Sequence, residues 1–264
     1  MVSSAVPVGR RSVAVLTLAS LAGLVMFCWP LLAQPADDAA RVDQPFLLMA
    51  LLPIVALVVL AELSEGGIDS RTLAILGVLT AVNAALRTLG AGTAGIELVF
   101  FLLILAGRVF GPGFGFVFGC TTVFASALLT AGVGPWLPFQ MMCSAWIGMG
   151  AGLLPRRVAG RTEIALLVVY GVVCAYLFGL LMNLSTWPFA IGIDSGDLSF
   201  VPGDPLSENL RRFVLFALLT STGWDTGRAI TTALLLVVLG PAILLTLRRA
   251  ARRARVIPIE RNPA

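Results

Sequence analysis

Residues 164–184 read IALLVVYGVVCAYLFGLLMNL, a run of 21 with no Asp, Glu, Lys or Arg. At 1.5 Å per residue a helix of that length covers about 30 Å, the thickness of a bilayer's hydrocarbon core. The same ruler marks spans near 13–33, 46–62, 72–89, 92–107, 113–131, 137–154 and 227–247. Charged residues make up 12% of the chain, about half the share in a soluble domain. The mean hydropathy of +0.97 agrees. An all-α integral membrane protein of one polytopic unit is therefore expected. The segment 209–222 is apolar but short and begins with Arg211 and Arg212. It reads as an interfacial or re-entrant piece, or as the first part of a broken helix that continues past Gly223. The first apolar run follows Arg10 and Arg11 and is longer than the apolar region of a signal peptide, so it reads as a retained helix.

Arginine carries all the basic charge, and its distribution sets an orientation. With the N-terminus inside, the inner segments hold Arg10, Arg11, Arg71, Arg108, Arg156, Arg157, Arg161, Arg248, Arg249, Arg252, Arg253, Arg255 and Arg261. The outer segments hold Arg41, Arg87, Arg211, Arg212 and Arg228. Thirteen against five predicts a cell-membrane protein with both termini in the cytoplasm. The arginines sit at the ends of apolar runs, which is a topology pattern and not a nucleic-acid patch. The basic tail should rest on anionic lipid or a partner. The outer stretch 185–208 carries Trp187, Phe189, Ile191, Ile193, Phe200 and Val201 among prolines and glycines, and so reads as a packed lid.

The chain has no lysine and no histidine. There is then no Walker A lysine, no Schiff-base lysine and no imidazole base or ligand. If the protein moves a solute uphill with ATP, another chain must hydrolyse the ATP. The four cysteines, Cys28, Cys120, Cys143 and Cys174, lie inside apolar runs without C-x-x-C spacing. They read as packed thiols, and no cofactor or metal site is expected. No Ser–His dyad is possible, and the acids do not cluster as intramembrane catalysis needs, so no enzyme is expected.

Four constellations stand out. In the span 72–89, Gly77, Ala81 and Ala85 line one face at four-residue spacing. Such a face admits a second helix at close range, from a partner or from the same chain. Arg87 and Glu97 flank one hairpin and either pair with each other or meet a ligand. Arg108 opens the glycine-rich turn 107–113 and reads as its cytoplasmic cap. The stretch Gly134-Pro135-Trp136-Leu137-Pro138-Phe139-Gln140 should be irregular backbone at the outer interface, where it must line a cavity or be shielded by protein. The last constellation is Thr220-Ser221-Thr222-Gly223-Trp224-Asp225-Thr226-Gly227-Arg228, with Asp225 read as the cap or first turn of the final helix.

In this order these segments resemble the substrate-binding S component of an energy-coupling factor (ECF) transporter over residues 70–250. The Gly-Pro-Trp and Ser-x-x-Trp-Asp elements carry the resemblance most specifically. It implies an S-component-like six-helix core at 66–250. The chain departs from the usual six-span unit in an extension, 1–65, with two more apparent transmembrane helices, and it ends in the basic cytoplasmic tail 251–264. The resemblance also implies a transmembrane coupling subunit, met through Ala81 and Ala85 beside Gly77, and two ATPase subunits. The function expected is capture of a vitamin-like small molecule from outside. Trp136, Gln140, Trp187, Trp224, Asp225 and Arg228 are the expected contacts, with Glu97 and Arg87 behind them. A corrinoid, another vitamin or a modified base would suit such a site. The rival reading is an ion-coupled secondary transporter working without ATPases. It would need mid-membrane carboxylates or broken helices in paired halves.

Overall fold

The computed structural model describes residues 10–32, 70–90, 95–187, 198–201 and 203–255. Among the described residues the regular elements are α-helices: α1 Arg10–Leu32, α2 Ser70–Gly90, α3 Phe100–Phe110, α4 Pro112–Leu129, α5 Leu137–Leu153, α6 Arg161–Thr186, α7 Leu206–Val238 and α8 Gly240–Arg255. Three of these, α2, α4 and α6, are long and apolar enough to cross a membrane, and the bent pair α7–α8 makes a fourth. The expected span 46–62 lies outside the described residues, as do Phe189, Ile191 and Ile193 of the expected lid and residues 256–264 of the tail. Leu73, Val78, Val169, Val173, Leu218, Ile230 and Val237 are exposed. On a membrane bundle such side chains face lipid, whose tails are as apolar as they are.

Helix α3 is the centre. Its 11 residues, FFLLILAGRVF, are apolar all round except for Arg108, and nearly all are buried. A helix without a polar face must be surrounded. The expected span 92–107 is corrected here. The helix begins at Phe100, because residues 95–99 run as non-helical backbone into the bundle. Such backbone is tolerated at depth only beside protein or a cavity.

Helices α4 and α5 pack most closely, and glycine makes this possible. A Cβ on Gly115 would strike the Gly148 carbonyl, one on Gly148 would strike Gly115, and one on Gly119 would strike the Ser144–Ala145 backbone. The expected glycine turn at 107–113 contracts to Gly111 alone, at φ 109°, between α3 and α4. Gly107 is helical and packs against Gly148. Helix α2 joins α4 through a polar seam: Thr80 to Thr121 at 2.9 Å, Asn83 Nδ2 to Thr122 at 3.5 Å, and Arg87 Nη1 to Ser126 at 2.8 Å. Gly77, Ala81 and Ala85 are all exposed on α2, and a Cβ at Gly77 would meet nothing.

The segment 209–222 is not a separate piece. Helix α7 runs unbroken for 33 residues, or about 50 Å, some 20 Å more than the hydrocarbon core needs. The excess holds the charges that made its start look interfacial: Arg211 pairs with Glu208, and Arg212 with Asp204. The span expected at 227–247 is instead divided between α7 and α8, which meet at a 65° bend. Pro241 in the first turn of α8 cannot donate to the preceding helix, which accounts for the break.

Helix α1 packs against the bundle. Phe27 is fully buried, edge-on to Phe139 at 5.0 Å and 5.6 Å from Trp146, whose indole donates to Ser20 Oγ at 3.0 Å. The cysteines are free thiols; Cys120, Cys143 and Cys174 are buried and Cys28 is partly so.

Candidate ligand-binding site

One end of the bundle gathers the end of α2, the segment 95–99, the turn 130–136 and the middle of α7. Between them lies a cavity of about 310 Å³, lined by Arg87, Gly90, Gly95, Ile96, Glu97, Thr130, Gly132, Trp136, Trp224 and Arg228. Its size is at the low end for ligand pockets.

Each wall follows from local sequence. Gly95, at φ 75°, lies so close to the Trp224 carbonyl that any side chain would collide with it. This contact carries Glu97 against α7. The turn 130–136 is held by Thr130 Oγ1 to the Ser126 carbonyl at 2.9 Å and by the Gly132 amide to the Ala127 carbonyl at 2.9 Å. It is irregular as expected, but it ends earlier than expected. Leu137 already begins α5, and Pro138 sits in the first turn, where a missing N–H costs nothing. Trp136 and Trp224 each leave almost half their surface open, 45% and 48%.

The charged groups are tied differently. Arg87 donates to Ser126 Oγ at 2.8 Å and to Gln140 Oε1 at 2.7 Å, both neutral acceptors. Glu97 Oε1 accepts the Val99 amide at 3.1 Å. The hairpin ion pair expected between Arg87 and Glu97 is therefore not formed. Each group has a nearer partner on its own wall. Arg228 pairs with Asp225 one helical turn away, and its guanidinium lies 4.8 Å from the Phe178 ring centre and 5.9 Å from that of Phe100. Asp225 is buried against Gly179, where a Cβ would overlap the carboxylate.

The expected contacts thus divide. Arg87, Glu97, Trp136, Trp224 and Arg228 meet at the cavity. Gln140 stands behind Arg87 and fixes it. Asp225 neither starts a helix nor lines the cavity: the helix passes through it because α7 begins nineteen residues earlier, at Leu206, and its carboxylate is occupied by Arg228. Trp187 belongs elsewhere. It is buried with Leu184, Phe213 and Phe216, and its indole donates to the Leu198 carbonyl at 2.7 Å. There it anchors the returning strand of the loop, which Asn209 also clamps by two hydrogen bonds to the Val201 backbone. The sequence reading missed Ser126, Gly95 and Gly179. Ser126 had a signal, since Thr122 and Ser126 repeat at the four-residue spacing of Asn83 and Arg87 on the facing helix.

The family model for the substrate-specific component of ECF transporters matches residues 71–250. The chain belongs to this family. Comparison with curated proteins and with solved structures returned no match. As an ECF substrate-specific component it is a transport protein, not an enzyme, and a multi-pass membrane protein that works with ECF transmembrane and ATPase modules. The match includes α2 through most of α8, so every lining residue of the cavity falls within it, whereas α1 does not.

The opposite end of the bundle holds a second charged cluster. Arg108 donates to Glu163 Oε1 at 2.8 Å and to the carbonyls of Leu154, Pro155 and Val158 at 2.9–3.1 Å. Arg248 of α8 reaches the same Glu163 oxygen at 2.6 Å. Arg108 does cap carbonyls, as expected, but they belong to the α5–α6 connection and not to its own turn.

Proposed function

We propose that this ECF component captures a vitamin-like small molecule from outside the cell in the cavity between the end of α2, the segment 95–99, the turn 130–136 and the middle of α7. Arg87, Glu97, Trp136, Trp224 and Arg228 would contact it directly, with Gln140 and Asp225 holding the two arginines in place. The observation that carries this reading is convergence: five charged or aromatic residues from four separate segments line one concavity. The cavity end carries Arg87, Arg211, Arg212 and Arg228, while the far end carries Arg71, Arg108, Arg156, Arg157, Arg161, Arg248, Arg249, Arg252 and Arg253. That imbalance favours the cavity facing outward and the termini facing the cytoplasm.

The coupling subunit would dock on the Gly77-Ala81-Ala85 face of α2. The small-residue faces that the fold itself needs are on α4 and α5, and α2 holds α4 by its polar seam on another side. Among the described residues Gly77, Ala81 and Ala85 stay exposed, which suits close helix approach. Transport energy would come from two ATPase subunits, since this chain has no lysine for a nucleotide-binding loop.

The test is affinity purification from native membranes, with mass spectrometry of co-purifying subunits and bound small molecules. Wild type should bring both. Ala81→Leu should lose the coupling and ATPase subunits and all uptake, yet keep the small molecule. Loss of the small molecule in A81L, or its absence from wild type, would contradict the division between docking face and cavity.

A further inference from the structure

We infer that the captured molecule is a zwitterion with a flat body, its acidic group meeting Arg87 and its basic group meeting Glu97. This inference rests on reading the cavity as the ligand site and says what chemistry that site selects.

The argument is an account of charge. Among the described residues four ionisable groups stand at or beside the cavity: Arg87, Glu97, Asp225 and Arg228. Asp225 and Arg228 balance each other's charge by direct contact, and Arg228 also lies against the Phe178 and Phe100 rings and donates to the Ala175 carbonyl at 3.4 Å, with its Nε left without a hydrogen-bond partner. Arg87 and Glu97 remain. The partners of Arg87 are a hydroxyl and an amide oxygen, which orient the guanidinium without neutralising it. Glu97 accepts one backbone amide, and a carboxylate has room for about four donors. One cation and one anion therefore open onto the same space, each held by its own wall so that they do not collapse onto each other.

Filling that space has consequences for each class of ligand. A neutral apolar molecule would strip water from both ions and return nothing, which is costly for unpaired charge, and a neutral polar one would return hydrogen bonds but no opposite charge. An anion would satisfy Arg87 and repel Glu97, and a cation would do the reverse. A molecule with both charges satisfies both groups, and because the two are already fixed, little ordering is lost on binding. The half-open faces of Trp136 and Trp224 offer stacking for an unsaturated ring, and a basic nitrogen on that ring gains cation–π attraction as well. A cavity of about 310 Å³ holds a molecule of this kind and is too small for a corrinoid.

The probes are small molecules of yeast extract, sorted by retention on a cation exchanger at pH 2 and on an anion exchanger at pH 11: zwitterions are held by both, cations by the first alone, anions by the second alone and neutral molecules by neither. Each pool is added to the purified chain in nanodiscs, and thermal unfolding and bound mass are read. The zwitterionic pool should raise the unfolding midpoint by about 5 °C or more and leave one species bound. Arg87→Gln and Glu97→Gln should each lower affinity for that species about ten- to a hundredfold, while Arg87→Lys, which keeps the charge, should lose less. Should R87Q unfold for lack of its Ser126 and Gln140 contacts, E97Q carries the test, since the glutamine oxygen can still accept the Val99 amide. Stabilisation by a singly charged or neutral pool alone, or unchanged binding in E97Q, would overturn the zwitterion and leave capture standing. Stabilisation by no pool would overturn capture itself, and the zwitterion with it.

Discussion

The two ends of the bundle use the same side chains to opposite purpose. At the α8 end, Arg108, Arg248 and Glu163 are in contact. The side chains of Glu163 and Arg108 are only 2% and 4% exposed, and a single carboxylate oxygen receives both guanidinium groups. Three loop carbonyls accept from the two terminal nitrogens of Arg108. At the cavity end, Arg87, Arg228 and Glu97 line open space. The two arginines are anchored to their walls, and Glu97 touches neither. Two arginines and a glutamate therefore make a clamp where both cations meet the anion and every nitrogen of the buried Arg108 is bonded, and a receptive surface where cation and anion are held apart. Composition does not distinguish the two; contact between the opposite charges does.

Replacing the glutamate at each end separates them. Glu163→Ala should have the largest effect. It strands a buried Arg108 and frees α8, at a cost of about 3–5 kcal/mol, read as a lower unfolding midpoint in detergent. Glu97→Gln should leave the ligand-free midpoint within about 0.5 kcal/mol of wild type while weakening ligand binding by about 1.5–3 kcal/mol in titration calorimetry. If E97Q unfolds as readily as E163A, the distinction between clamp and receptive surface is wrong. Gly179→Ala sharpens the comparison further. Its methyl group would displace Asp225 and so release Arg228, destabilising by about 1–3 kcal/mol through overpacking and lowering affinity without touching the cavity. An unchanged affinity would mean that Arg228 needs no positioning by Asp225. Trp146→Phe, which removes the hydrogen bond to Ser20 on α1, should have the smallest effect, about 0.6 kcal/mol, and none on binding. A large loss there would show that α1 does more than cover α5.

Much of this was legible in the sequence, and the misreadings have physical causes. Apolar length gave α1, α2, α4, α5 and α6 to within a few residues. It failed for α7 because charge at Arg211 and Arg212 looks the same whether a helix stops or merely leaves the lipid. It failed for α3 because a short central helix and the non-helical entry at 95–99 are equally apolar. The aromatic and charged residues of the cavity could be nominated one by one, since a charge or a Gly-Pro-Trp turn in lipid needs a reason. Trp187 met the same criteria yet packs in a separate cluster, because burial of an indole in protein and contact with a ligand draw on the same properties. The positioning glycines, Gly95 and Gly179, could not be singled out, as a close approach has two sides and only one of them is a glycine. The small-residue stripes show the same ambiguity: Gly115 and Gly148 are spent inside the fold, while Gly77, Ala81 and Ala85 are not.

Uptake by sealed vesicles tests the whole account most directly. The purified chain is reconstituted alone, or together with its coupling and ATPase subunits, and the small molecule it retains is supplied outside. Alone, the protein should bind that molecule with the internal concentration never exceeding the external one, and accumulation should begin only when all subunits and ATP are present. Concentration of the molecule by the lone chain, driven by an ion gradient and indifferent to ATP, would contradict the account.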